Sequence, residues 1–436
     1  MKIKKAISAM ILLTTSAIIF GQAKVLNATE SDPSEMKWMQ GFPPEKDKIV
    51  SAVDNSFFAF PALRYSVNHM REFFPTREVK AGKENYFKFK TKIDNEIENV
   101  TFIPWNQTSP ITFKESLDKN YVDGIIILHK GKIVYEKYSG GLKEDGLHAA
   151  MSVSKSFTGI LGSILIAEGV LNPEELVTNY VPELKGSAFE GATVQQVLDM
   201  TTSVQYSENY SDVNAEVWKY SAAGSVYKAA DYKGPQNYYE YLPTLKKIDG
   251  VEHGEQFGYK TVNTEVMGWV ISRVTGKCIT ELISEKIWIP MGAKYDGYYQ
   301  LDPAGKAFAG GGFDLNLRDM AVFAELLLNN GKSRGKQIIP QKAVKEVSSG
   351  GSQEAFSNGK EYPSLKGWSY HNMWWITNNS HKAYMARGVH GQAIYIDPVA
   401  DMAIVRFSSN PQASNTHNDP ISLPAYEAVA EYLMQK

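Results

Sequence analysis

Two β-rich runs, 124–128 and 133–138, flank the polar turn His129-Lys130-Gly131-Lys132, and their branched and aromatic residues predict a hairpin. Immediately afterwards the spacing changes. Apolar residues at Val153, Phe157, Ile160, Leu161, Ile164 and Leu165 recur at helical intervals until Gly169 supplies a stop signal. Further helical patterns cover 194–200, 265–275, 281–287, 317–330 and 341–347. Strand patterns return at 383–389, 393–396 and 402–407, the last two joined by an Asp397-Pro398 turn, before a closing helix near 425–434. Strands at both ends with helices between them predict an α/β (α+β) architecture, in which one antiparallel sheet from both chain ends is flanked by helices and a helical insertion forms a second lobe. The expected division is an N-terminal wrapping extension over 24–120, a sheet lobe from 121–151 and 380–436, and a mainly helical lobe over 152–379. Residues 201–250, rich in Tyr, Ser, Gly and Asn, read as a mobile aromatic loop region.

The N-terminus adds a destination. Lys2, Lys4 and Lys5 precede an apolar stretch over 6–20 and the small-residue site Gly21-Gln22-Ala23, which predicts a signal peptide, residues 1–23, cleaved after Ala23. Its apolar stretch is short of the about 20 residues that span a bilayer. The expectation is an exported protein, periplasmic or secreted, with no stable membrane insertion after cleavage. A net charge of −2 with dispersed lysines offers no basic stripe for nucleic acid. Cys278 is the only cysteine, so an intramolecular disulfide and a thiolate zinc cluster are excluded. The eight histidines show no H-E-x-x-H spacing, and neither a metal nor a cofactor is expected. No coiled-coil repeat speaks to oligomeric state.

Candidate chemistry begins at Ser152 and Lys155. Residues three apart share a helix face, so a hydroxyl and an amine can meet there, and a neutral lysine can take the serine's proton. The unperturbed lysine pKa lies near ~10.4, so burial must lower it. As a string, Ser-x-x-Lys is uninformative, because it starts six times, at Ser34, Ser116, Ser152, Ser225, Ser333 and Ser357. Only the copy at Ser152 opens a long apolar helix, whose N-terminus favours developing negative charge. Gly159 and Gly162 suggest close approach of backbone or substrate. The alternative is an N-capping serine with a snorkelling lysine. Tyr259, in Phe257-Gly258-Tyr259-Lys260-Thr261-Val262-Asn263, is a candidate proton relay. The run Ala386-Arg387-Gly388-Val389-His390-Gly391-Gln392 can line substrate and supply an amide to an oxyanion hole. Gly331-Lys332-Ser333-Arg334-Gly335 matches G-x-S-x-G, but a helical pattern precedes it where a nucleophile elbow needs a strand.

Taken together, Ser152-Val153-Ser154-Lys155, Tyr259 and Val389-His390-Gly391 resemble the three motifs of the penicillin-recognising serine hydrolases, a superfamily that includes class C β-lactamases, D-alanyl carboxypeptidases, esterases and amidases. The 6-aminohexanoate-dimer hydrolase branch is suggested by the runs 64–72, Leu198-Asp199-Met200-Thr201-Thr202 and Gly388-Val389-His390-Gly391-Gln392, and the similarity spans about 60–436. The resemblance implies a β-lactamase/transpeptidase-like fold, acylation of Ser152, activation by Lys155, relay by Tyr259, and an oxyanion hole from the amides of Ser152 and Gln392. Tyr206, Tyr210, Thr261, Asn263, His390 and Gly391 are the expected substrate-binding positions. Thr261 stands where many relatives carry Asn, and Val389 where they carry Lys or His. Both departures turn the expectation away from β-lactams and D-alanyl peptides towards a small-molecule linear amide or ester. The reading of another class is an inactive ligand-binding protein using the tyrosine-rich region.

Overall fold

The computed structural model describes residues 25–82 and 84–436, so the expected signal segment, 1–23, lies outside the described residues. The main sheet has eight strands in the order Ser369–His371, Trp374–Ile376, Tyr384–Gly388, Gln392–Asp397, Met402–Ser408, Val122–His129, Lys132–Tyr138 and Lys90–Thr91. All its pairings are antiparallel except the last, where Lys90–Thr91 runs parallel to Lys132–Tyr138. The two chain ends meet at its centre, with Ile404 opposite Ile127. Every residue of Val122–His129 and Met402–Ser408 is buried. Because successive side chains point to opposite faces, such strands must be covered on both sides. The helix Leu317–Leu328 packs on these central strands, and the C-terminal helix Asp419–Met434 sets Tyr426 against Tyr395, ring centroids 5.2 Å apart.

Three features differ from the sequence expectation. The sheet's C-terminal part begins at Ser369, not 380, because a tight hairpin joins two three-residue strands through Asn372 and Met373, both at positive φ. Met is a residue that rarely marks such a turn. The extension contributes strands as well as wrapping: Lys90–Thr91 edges the main sheet, and Thr76–Val79 joins Gly297–Gln300, Phe313–Asn316 and Leu147–Ala149 in a second, four-stranded sheet. Its buried Arg64 donates to Asp123 at 3.1 Å and to Ser409 at 3.1 Å, tying the extension to the strand Val122–His129 and to the residue that follows Met402–Ser408. Finally, 201–250 is not an open loop region. It holds the helices Glu216–Gly224 and Tyr238–Tyr241, and Tyr206, Tyr220, Tyr238 and Tyr241 are buried, with Tyr220 stacked on Tyr238 at 4.7 Å. These four tyrosines fill a core, while Tyr227 stays exposed.

The second sheet positions the chemistry. Leu147–Ala149 runs directly into Ser152, and its partner Phe313–Asn316 begins three residues after Gly310, so one ladder fixes both segments.

Candidate active site

Ser152 is the N-cap of the fifteen-residue helix Val153–Ala167, yet its side chain makes no capping hydrogen bond. The preceding Met151 is held at φ 48, a strained conformation for a long side chain, which turns the chain sharply into the helix. One neighbouring hydroxyl locks this turn: Ser154 Oγ donates to the Met151 carbonyl at 2.6 Å and accepts the Phe313 N–H at 3.0 Å. Ser152 Oγ is therefore released from capping and faces Lys155. Gly159 is a packing requirement, since a Cβ there would lie 2.0 Å from the Asn372 carbonyl, and Gly162 packs beside Leu198. The close approach expected at both glycines is thus made by protein.

Lys155 Nζ lies 2.8 Å from Ser152 Oγ and donates to the Gly310 carbonyl at 2.6 Å. The lysine is 1% exposed, and burial pushes its pKa down to about 8, partly opposed by the charges of Glu208 and Glu265. Of the six Ser-x-x-Lys copies, all among the described residues, only this one makes the amine–hydroxyl bond. Ser333 of the G-x-S-x-G match lies instead in a two-residue strand, Lys332–Ser333, of a small hairpin.

Tyr259 joins the pair. Its ring centroid is 5.1 Å from Lys155 Nζ, its phenol hydrogen-bonds with Ser152, and burial, reinforced by Glu208, pushes its pKa well up, so it stays protonated. The helix expected from 265 begins at Thr261, placing Thr261 and Asn263 in its first turn. The Thr261 N–H donates to the Glu208 carboxylate, and Asn263 Oδ1 accepts the Thr202 hydroxyl at 2.7 Å, with Asn263 fully buried and its Nδ2 without a partner. Tyr206 is buried within the tyrosine core, whereas half-buried Tyr210 packs edge-on to Trp218 at 5.9 Å.

The third segment is arranged differently from its expected register. His390, at φ 63, turns away: its Nδ1 meets the Asn410 carbonyl at 2.7 Å, its ring packs edge-on to Phe58, and burial pushes its pKa down to about 4. Gly391 backs onto Ser408, and the Gln392 side-chain amide donates to the Ser408 carbonyl at 2.7 Å and accepts the Ser408 N–H at 3.0 Å. The backbone that meets the serine turn is earlier. A Cβ on Gly388 would sit 2.8 Å from the Ala150 carbonyl, and Val389 packs on the cluster containing Met151. A cation also stands here. Arg387 lies over Trp375 at 4.7 Å and is engaged by Asp419 at 2.5 Å.

A hydroxyl, a buried amine of lowered pKa and a protonated phenol thus converge at a helix N-terminus beside a strand end. The Beta-lactamase family profile matches residues 116–423. The chain belongs to the β-lactamase family of serine hydrolases. It is 35% identical over 304 residues to the 6-aminohexanoate-dimer hydrolase of Paenarthrobacter ureafaciens, covering 70% of this chain and 76% of that protein. A solved Bacillus anthracis structure, provisionally assigned as a 6-aminohexanoate-dimer hydrolase, superposes with a TM-score of 0.80 at 32% identity, covering 90% of this chain and 99% of that one. A class C β-lactamase, 18% identical with a TM-score of 0.51 over 72% of this chain and 93% of that one, shares the fold. Sequence reasoning missed Glu208, Glu265 and the Gly310 carbonyl. None carries a local motif, and each reaches the site through tertiary packing alone.

Proposed function

We propose that the protein is an exported serine hydrolase that cleaves a linear amide or ester through an acyl-enzyme on Ser152, in the manner of a 6-aminohexanoate-dimer hydrolase. The observation that carries this reading is the 2.8 Å contact between Ser152 Oγ and the buried Lys155 Nζ. Once neutral, Lys155 accepts the serine proton while one of its N–H bonds stays on the Gly310 carbonyl. Ser152 Oγ bonds to the substrate carbonyl carbon, and negative charge gathers on the carbonyl oxygen beside the Ser152 amide at the helix N-terminus. We take the second oxyanion amide to be that of Val389, since the Gly388–Val389 end, rather than Gln392, meets the serine turn. Tyr259, kept protonated by burial, gives its proton to the leaving nitrogen or oxygen as the carbonyl–leaving-group bond breaks, and is reprotonated from Lys155. Water then attacks the ester on Ser152, using the same base, and releases the acid.

The test is a panel of a linear ω-amino amide dimer, short-chain esters and nitrocefin, run on wild type and Ser152→Ala, with a fluorophosphonate probe on folded protein. Turnover of the amide or esters that disappears in Ser152→Ala, with labelling at Ser152, is expected. Rapid nitrocefin hydrolysis would shift the substrate to β-lactams. An unlabelled Ser152 with no turnover would instead leave a binding protein.

A further inference from the structure

Glu265 lies one turn beyond Thr261 on the helix Thr261–Thr275 and is 1% exposed. Its carboxyl accepts the Gly310 N–H at 2.8 Å, the Tyr220 hydroxyl at 2.9 Å and the Ala309 N–H at 3.4 Å. The carbonyl of that same Gly310 accepts Lys155 Nζ at 2.6 Å. Residue 310 has no slack, because a Cβ on it would fall 2.3 Å from Thr261 Cγ2 and 3.2 Å from Glu265 Oε1. One buried acid therefore grips the N–H side of the residue whose C=O side grips the lysine.

Resting on the reading of Lys155 as the base, we propose that Glu265 is a positioning residue for it, holding the carbonyl that orients Lys155 and acting as one of the lysine's two buried counter-charges. The other is Glu208, which faces Lys155 from the 201–215 segment. The remaining ionisable groups around Glu265 are phenols: those of Tyr220, Tyr238, Tyr239 and Tyr299 are pushed up by burial and then by its charge, that of Tyr206 by burial and then mainly by Glu208, and all are neutral. Burial raises Glu265 itself to about 7, just below the value of about 8 for Lys155. Around neutral pH the two titrate together, and an ionised Glu265 makes Lys155 harder to deprotonate.

Glu265→Gln keeps an acceptor for Gly310 and removes the charge. Its acid limb of kcat/KM is expected to move to lower pH by roughly one unit. Glu265→Ala also frees the carbonyl and should lower kcat by roughly tenfold or more with a smaller change in KM. A merely structural glutamate would lower folded yield without moving the limb. An unmoved limb in folded Glu265→Gln, with Lys155→Ala inactive, overturns the proposal whether or not Glu265→Ala folds. An active Lys155→Ala overturns the reading of the base on which it rests.

Discussion

Lys155 and Lys260 are two buried lysines in one neighbourhood, both brought by burial to a pKa of about 8 and both facing Glu208. Their amines point at different things. Lys155 Nζ reaches the Ser152 hydroxyl, whereas Lys260 Nζ donates to the Thr202 carbonyl at 2.9 Å and has Glu361 as its strongest counter-charge. Glu361 in turn accepts the Tyr259 N–H at 2.9 Å, so Lys260 belongs to the scaffold behind Tyr259. A lowered pKa marks burial in both cases, and orientation alone decides which of them the proposed mechanism can use as a base. The difference also explains why the glutamates matter: a shared acid can bias either amine, but only one bias is read out in chemistry.

Exchanging the two lysines' fates is the harshest test. Lys155→Ala and Ser152→Ala should each lower kcat by roughly 10⁴-fold or more, since members of one catalytic unit fail together. Lys260→Met should stay within about tenfold of wild type in kcat while losing about 1–3 kcal/mol of stability, because the Thr202 carbonyl loses its buried donor. Equal losses of activity in Lys155→Ala and Lys260→Met, in protein that still melts cooperatively, would erase the distinction. Tyr259→Phe probes the same contrast more gently. It should slow amide turnover by roughly 10²-fold and activated esters far less, since only the amide needs its leaving group protonated. Equal losses on both substrates would return Tyr259 to the scaffold with Lys260.

The legibility of these parts follows the range of the forces that shape them. The hairpin Val122–His129 with Lys132–Tyr138 and the helix after Ser152 were readable because local alternation and helical spacing encode burial directly. The partnership of Ser152 and Lys155 was readable because three residues of helix suffice to bring them together. Ser369–His371 and Trp374–Ile376 were not, being three residues long and joined by a Met in a left-handed turn. The run 388–392 was half readable. Its glycines announced close approach, but the φ of 63 at His390 rotates the chain so that Gly388 and not Gln392 meets the serine turn. The tyrosines of 201–250 were misread because composition cannot tell a polar-tipped core residue from a loop residue. Glu208 and Glu265 carry no signal at all, since their effect on Lys155 arises only after distant segments pack.

The mildest test keeps Ser152, Lys155 and Tyr259 in place and follows the pH dependence. In the proposed mechanism Lys155 must lose its proton to act, and burial has brought its pKa down to about 8, so wild-type kcat/KM should climb as pH rises and level off above about 8. Lys260 titrates in the same range but holds no reacting proton. Replacing it with Met removes a positive charge that shares Glu208 with Lys155, so the Lys155 ammonium meets less positive potential from its surroundings. The acid limb of Lys260→Met should therefore move upward, by less than about one unit because the coupling is indirect. That is the opposite direction to the shift expected from Glu265→Gln. Profiles measured on one substrate for wild type and both variants decide the matter: if the two limbs move the same way, charge at Lys155 is not what the pH dependence reports.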